Sequence, residues 1–188
     1  HKVALPGLKK GENVLEARLP YHMSVNVEAM FLLGQFGVNV KGSTAVITEL
    51  PEKIGFGDIC SQGLPFYGGN VVYRMPVEVS QDGQLIVQVP RFRNPLIEVV
   101  LDGKESRDLF KSPYRVSFDE VGKGSHLIEL RAYGNRRNTF GQLHNCSGFV
   151  GWCGPNAWRT KDENWAYEYQ LTETGILVSP RVEVREEV

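Results

Sequence analysis

The sequence predicts an all-β protein, an antiparallel β-sandwich or jelly roll. Three observations carry that expectation. Many segments alternate apolar and polar residues with a period of two, which marks strands with one face in a core and one in water. These segments recur at intervals of roughly 8 to 12 residues, with Gly, Asn and Asp turns between them, the spacing of sandwiches and barrels. A glycine-punctuated loop, Gly57 to Asn70, runs straight into the longest alternating run, Val71 to Val79, and the other strands read as laid around it.

In chain order, Gly11-Glu12-Asn13 reads as a turn, followed by Leu15, Ala17 and Leu19 on one face and Glu16 and Arg18 on the other. Val25 to Leu33 is a second strand candidate, broken by Gly34 to Gly37. Phe36–Val40 and Thr44–Thr48 are two more strands, joined by the turn Lys41-Gly42-Ser43, and no convincing helix precedes residue 50. In the central loop Gly63, Gly68 and Gly69 are expected to supply positive φ, and Pro65 to fix one φ. Val71, Tyr73, Met75, Val77 and Val79 then face one way, with Arg74, Glu78 and Ser80 opposite. Gln81-Asp82-Gly83 is expected to close a hairpin onto Leu85, Val87 and Val89, because Asp-Gly suits a tight primed turn. Ile97, Val99 and Leu101 lead to a second hairpin signal, Asp102-Gly103-Lys104. Tyr114, Val116 and Phe118 alternate next, then Gly122-Lys123-Gly124 turns the chain into Ile128, Leu130 and Ala132. Residues 134–165 are rich in Asn, Gly and aromatics, carry no period and hold all three tryptophans, and a loop that long is usually functional or held down by neighbours. Val182 and Val184, alternating with Arg181 and Glu183, make the last strand.

Residues 1–50 therefore read as lead-in strands and 51–188 as the principal domain. The pattern of 11–18 repeats at 124–131, with Gly, Glu and Arg at the same offsets. Either any turn entering an antiparallel strand looks like this, or two sandwich modules lie in tandem and the lead-in strands finish the preceding one.

The chain has 188 residues, 41% hydrophobic and 23% charged, with a net charge of −1. That is an ordinary globular composition, long enough to bury a core without staples. Near-neutral charge argues against nucleic acid or an anionic membrane as partner. No apolar run approaches the roughly 20 residues that span a bilayer, and the first residues do not resemble a signal peptide. Of three cysteines, Cys146 and Cys153 either pair across a short loop or stay free like Cys60. His144, Cys146 and Cys153 offer three of the four ligands a zinc site needs.

Glycoside hydrolysis, phosphate handling and nucleophilic catalysis each leave signatures. Acids occur at Asp58, Asp108, Asp119, Glu120, Asp162 and Glu163, mostly in turns where a solvated carboxylate is the rule. Asp58 stands apart because it lies in the central loop, where its plain role is to accept loop backbone N–H groups. Ser61 and Ser147 lack a nucleophile-elbow context, and there is no phosphate loop or dinucleotide fingerprint. Binding chemistry is better represented. An exposed aromatic plane with polar groups at its rim suits a sugar, and Tyr67, His144, Trp152, Asn156, Trp158, Arg159 and Trp165 are the candidate carbohydrate-binding residues. The plainer use of those rings is to pack beneath the long loop.

Some segments resemble a known family. Tyr67-Gly68-Gly69-Asn70-Val71-Val72-Tyr73-Arg74 is similar to the first core strand of galactose-binding-like jelly-roll modules, and Ile97 to Lys104 resembles their strand ending in Asp-Gly-Lys. Gly124 through Asn138-Thr139-Phe140-Gly141 resembles their closing pattern. Glu28 to Val38, followed by Gln62 to Tyr67, looks most like the carboxy-terminal region of α-L-rhamnosidase-like enzymes, and the likeness covers most of the chain from about residue 28. The resemblance implies a galactose-binding-domain-like jelly roll, a non-catalytic accessory module that braces the catalytic domain of a secreted (extracellular or periplasmic) glycoside hydrolase of the rhamnosidase or β-galactosidase-like group. As an alternative it implies a carbohydrate-binding module. It requires no cofactor, although some modules of this kind hold a structural calcium; no run of acids here marks ligands for one. A self-contained hydrolase, the third possibility, would need paired acids in a deep pocket.

Overall fold

The computed structural model describes residues 2–5, 7–25, 30–146 and 164–185. The chain divides into two units, His1–Gly34 and Gln35–Val188.

In the first unit the described residues form no strand or helix. The expected turn at Gly11 to Asn13 is there. Gly11 takes a φ of 101°, and Asn13 closes the loop through Nδ2 to the Lys9 carbonyl and Oδ1 from the Lys9 N–H, at 2.8 and 2.9 Å. The alternating run after it stays without a partner strand, with Leu15 and Leu19 more than 60% exposed. Its near-copy at 124–131 is a strand with neighbours on both sides. Alternation alone does not make a strand when no second edge satisfies its N–H and C=O groups.

The second unit is an antiparallel β-sandwich. A leading hairpin pairs β1 (Gly37–Lys41) with β2 (Thr44–Thr48) around Gly42, as expected. The long strands are β3 (Val71–Val79), β4 (Gly83–Gln88), β5 (Ile97–Leu101), β6 (Glu105–Leu109), β7 (Arg115–Val121), β8 (Gly124–Ala132) and β9 (Arg181–Arg185). One sheet runs β3-β8-β5-β6 and the other β7-β4-β9. Leu130 of β8 lies opposite Tyr73 of β3 and Val99 of β5, all buried. From the facing sheet Leu85, Val87 and Phe118 close the same core, each fully buried. Burial of one such side chain stabilises by about 1.5–3 kcal/mol, so these inward rows hold the two sheets together.

One expectation is corrected. Gln81-Asp82-Gly83 does not close a hairpin. β3 and β4 lie in opposite sheets, so this turn is a corner between them. Val79 and Leu85 both face the core, one from each sheet, and Asp82 Oδ1 accepts the Lys123 N–H at 2.6 Å, stitching this corner to the one between β7 and β8. By contrast Asp102-Gly103 is the expected primed turn, with φ of 51° and 69°. The return strand β6 carries no period, because four of its five residues are exposed at a sheet edge and only Leu109 is buried. Among the described residues there is one short helix, α1 (Arg137–Phe140), in the stretch that carried no period.

Candidate functional site

The central loop is held by backbone pairing with residues 172–176. Gly57 N–H donates to the Ile176 carbonyl at 2.8 Å and Ile59 N–H to Thr174 at 2.9 Å. Asp58 does what its loop position suggested: Oδ1 accepts the N–H of Cys60 at 3.1 Å and of Thr174 at 2.9 Å. Ile59 and Pro65 plug the core beneath. Gly63 has the positive φ expected of it, 92°, but Gly68 and Gly69 do not. Those two serve close approach: a Cβ on Gly68 would strike Thr139 Oγ1 and the Asn135 carbonyl, and one on Gly69 the Tyr67 ring.

Cys60 sits inside this knot. Its Sγ accepts Asn138 Nδ2 at 3.3 Å and lies 3.5 Å from the Thr172 carbonyl. Desolvation, reinforced by the Asp58 charge, pushes the thiol up to about 12. It stays protonated at neutral pH and is a packing group, not a nucleophile.

α1 hangs from the same knot. Asn138 is 5% exposed; its Nδ2 donates to the Thr172 carbonyl at 2.8 Å and its Oδ1 accepts the Thr172 N–H at 3.0 Å. Thr139 Oγ1 donates to the Phe66 carbonyl at 2.8 Å. With 138 and 139 turned inward, the helical turn leaves Arg136, Arg137 and Phe140 exposed. The chain then pairs with 164–170: Gln170 N–H donates to the Leu143 carbonyl, Ala166 to His144 and Cys146 to Asn164, at 2.6 to 3.0 Å.

This ribbon has two sides. On one, the His144 ring stacks between Trp165, 5.4 Å away by centroids, and Tyr169 at 5.0 Å, while Tyr167 meets Trp165 edge-on at 4.5 Å. His144 Nδ1 donates to the Ala166 carbonyl at 3.0 Å. On the other lies a cleft of about 570 Å³, lined among others by Arg136, Arg137, Phe140, Gln142, Asn145 and Gln170. No acid lines it. Asn145 Nδ2 donates to Gln142 Oε1 at 2.8 Å, and Gln142 Nε2 is buried with no acceptor among the described residues.

Of the sequence-predicted residues, the fold brings His144 and Trp165 into contact. The Tyr67 hydroxyl donates to the Asn70 carbonyl at 3.0 Å, and its ring covers Gly69. Trp152, Asn156, Trp158 and Arg159 lie outside the described residues, as does Cys153. Sequence reasoning missed Tyr169 and the cleft residues Arg136, Arg137, Gln142 and Gln170. Only the basic pair beside Asn138 was a visible signal. Among the described residues no three His, Cys, Asp or Glu side chains converge as a metal site would require, and no helix is long and apolar enough to cross a membrane.

No family model matches the chain, and no curated protein matches it. Among solved structures, the chain is similar to part of a rhamnosidase from Novosphingobium sp. PP1Y. The match is 15% identical, with a TM-score of 0.49, over 78% of this chain and 14% of that one. It is also similar to part of a GH2 beta-galacturonidase from Eisenbergiella tayi, at 19% identity and a TM-score of 0.35, over 57% of this chain and 18% of that one. The chain thus spans less than a fifth of either structure that it matches.

Proposed function

We propose that this chain is a non-catalytic accessory module of a secreted glycoside hydrolase, a galactose-binding-like jelly roll of the α-L-rhamnosidase-like group, and that it braces the catalytic domain of the same polypeptide. The observation that carries this is apolar surface left open. On the leading hairpin and just after it, Val46, Ile47 and Leu50 are each about half exposed, at 55%, 46% and 49%. In the first unit Leu15, Leu19, Met30, Phe31 and Leu33 are all exposed. Apolar area in water costs about 25 cal/mol per Å², and neighbouring exposed apolar residues of this kind mark surface that a partner covers. The sequence resemblance supplies the identity of that partner. The described residues that line the cleft include no carboxylate, whereas hydrolysis uses two.

The test uses the longer polypeptide that the same open reading frame would encode. Val46→Asp with Ile47→Asp should lower the melting temperature of the catalytic region by several degrees, while the 188-residue chain carrying the same changes melts as before. A catalytic region equally stable and active with the module deleted would overturn the bracing role. Turnover of aryl-glycosides by the purified 188-residue chain would overturn the non-catalytic one.

A further inference from the structure

We infer that the cleft beside α1 binds a saccharide carrying an anionic substituent, a carboxylate or a sulfate. The inference goes beyond the bracing role and does not depend on it. Four features of the cleft point the same way. Arg136 and Arg137 are adjacent and exposed at its wall, and neither guanidinium takes part in an ion pair among the described residues. A guanidinium fork matches the planar, bidentate geometry of a carboxylate or the oxygens of a sulfate. Among the described residues lining the cleft there is no acid to compete for them.

The second feature is the buried Gln142 Nε2, which has no acceptor. A buried donor left unmade costs about 1–3 kcal/mol, and a hydroxyl entering the cleft would repay that cost. Third, Gln142 Oε1 is held by Asn145 Nδ2, so the side-chain amide is fixed in direction before any ligand arrives. Fourth, Phe140 is 40% exposed on the same wall. The described lining thus offers two cations, oriented amides and one ring, with no carboxylate among them. Such a lining suits an acidic sugar. Asn138 and Thr139 pin α1 by hydrogen bonds to Thr172 and to the Phe66 carbonyl.

The test is titration calorimetry on the purified 188-residue chain at low salt, in four arms: an oligogalacturonide, a sulfated oligosaccharide, a neutral oligosaccharide of equal length, and inorganic sulfate. Saturable binding in the first or second arm is expected, and which of the two binds identifies the anion. Affinity should fall at least tenfold in Arg136→Gln/Arg137→Gln, with the melting temperature unchanged because both side chains are exposed. Gln142→Met should weaken binding several-fold without lowering stability, since it removes an unpaired donor. The inference is overturned if neither acidic saccharide binds. It is equally overturned if neutral sugar or inorganic sulfate binds as well as they do, or if the arginine pair proves irrelevant to affinity.

Discussion

At the scale of single residues, the most informative charged group outside the cleft is His126. It links two turns: Nδ1 meets Asp102 Oδ2 at 2.7 Å and Nε2 meets the Gly122 carbonyl at 2.8 Å. Both partners are acceptors, so only the doubly protonated imidazolium donates to both. The hydrogen bond to Asp102, then that to Gly122, raises the His126 pKa, with Glu78 adding its charge. Partial desolvation pushes the Asp102 carboxyl up, but the Leu127 N–H and His126 outweigh it, with Lys104 assisting, and its pKa is lowered. The sign follows. The contribution of His126 is fully present below its unfolded pKa of about 6.5 and is lost as pH rises through the raised folded value; that of Asp102 is present above about 3.9 and is lost as pH falls through the lowered one. The clamp is therefore strongest between about pH 4 and 6.5. The melting-temperature advantage of the native chain over His126→Gln should be largest near pH 5.5 and shrink towards about pH 8.5. A difference that stays flat with pH would show that the imidazolium does not hold these turns. Asp102 was legible in the sequence as a turn residue; its histidine partner, 24 positions on, was not, because only register brings β8 alongside the β5–β6 turn.

At the scale of elements, α1 depends on tertiary contacts. Four residues are too few to be helical alone, since nucleation costs more than one turn returns. What holds it is Asn138, whose amide replaces a strand partner for Thr172. Asn138→Ala should cost about 1–3 kcal/mol in urea unfolding, because it leaves the part-buried Thr172 N–H without its acceptor, while the Thr172 carbonyl keeps Thr174 Oγ1 as a donor. It should also uncover Cys60, giving faster reaction with a thiol reagent. A loss below about 0.5 kcal/mol would mean that water replaces the amide at no cost. The strands were far more legible. β3, β4, β5, β7, β8 and β9 announce themselves by alternation, whereas β6 is an exposed charged edge.

At the scale of the whole molecule, the two units differ in how much they bury. Residues 35–188 share one core between two sheets, whereas the described residues of 1–34 hold few hydrogen bonds and many exposed apolar side chains. Local stability follows buried contacts and protected backbone bonds. Hydrogen exchange on the 188-residue chain should therefore find amides 2–25 nearly unprotected and those of β4, β5 and β8 the slowest. Strong protection at Leu15 or Leu19 would show that the first unit carries structure of its own. A stabilising partner would slow those same amides, which links this measurement to the bracing role.

Sequence alone determined the all-β class, the positions of most strands, the Asp102-Gly103 turn and the structural use of Asp58. Those are local properties, set by side-chain period and by which residues tolerate positive φ. Only the tertiary structure decided which strands share a sheet, that the Asp82 and Gly122 turns are corners, and that Asn138, Cys60 and Thr172 meet. It alone placed Arg136 and Arg137 over a cleft floored by amides. Those depend on contacts between residues tens of positions apart, and hydrophobic periodicity carries no information about which partner a strand or a buried amide will find.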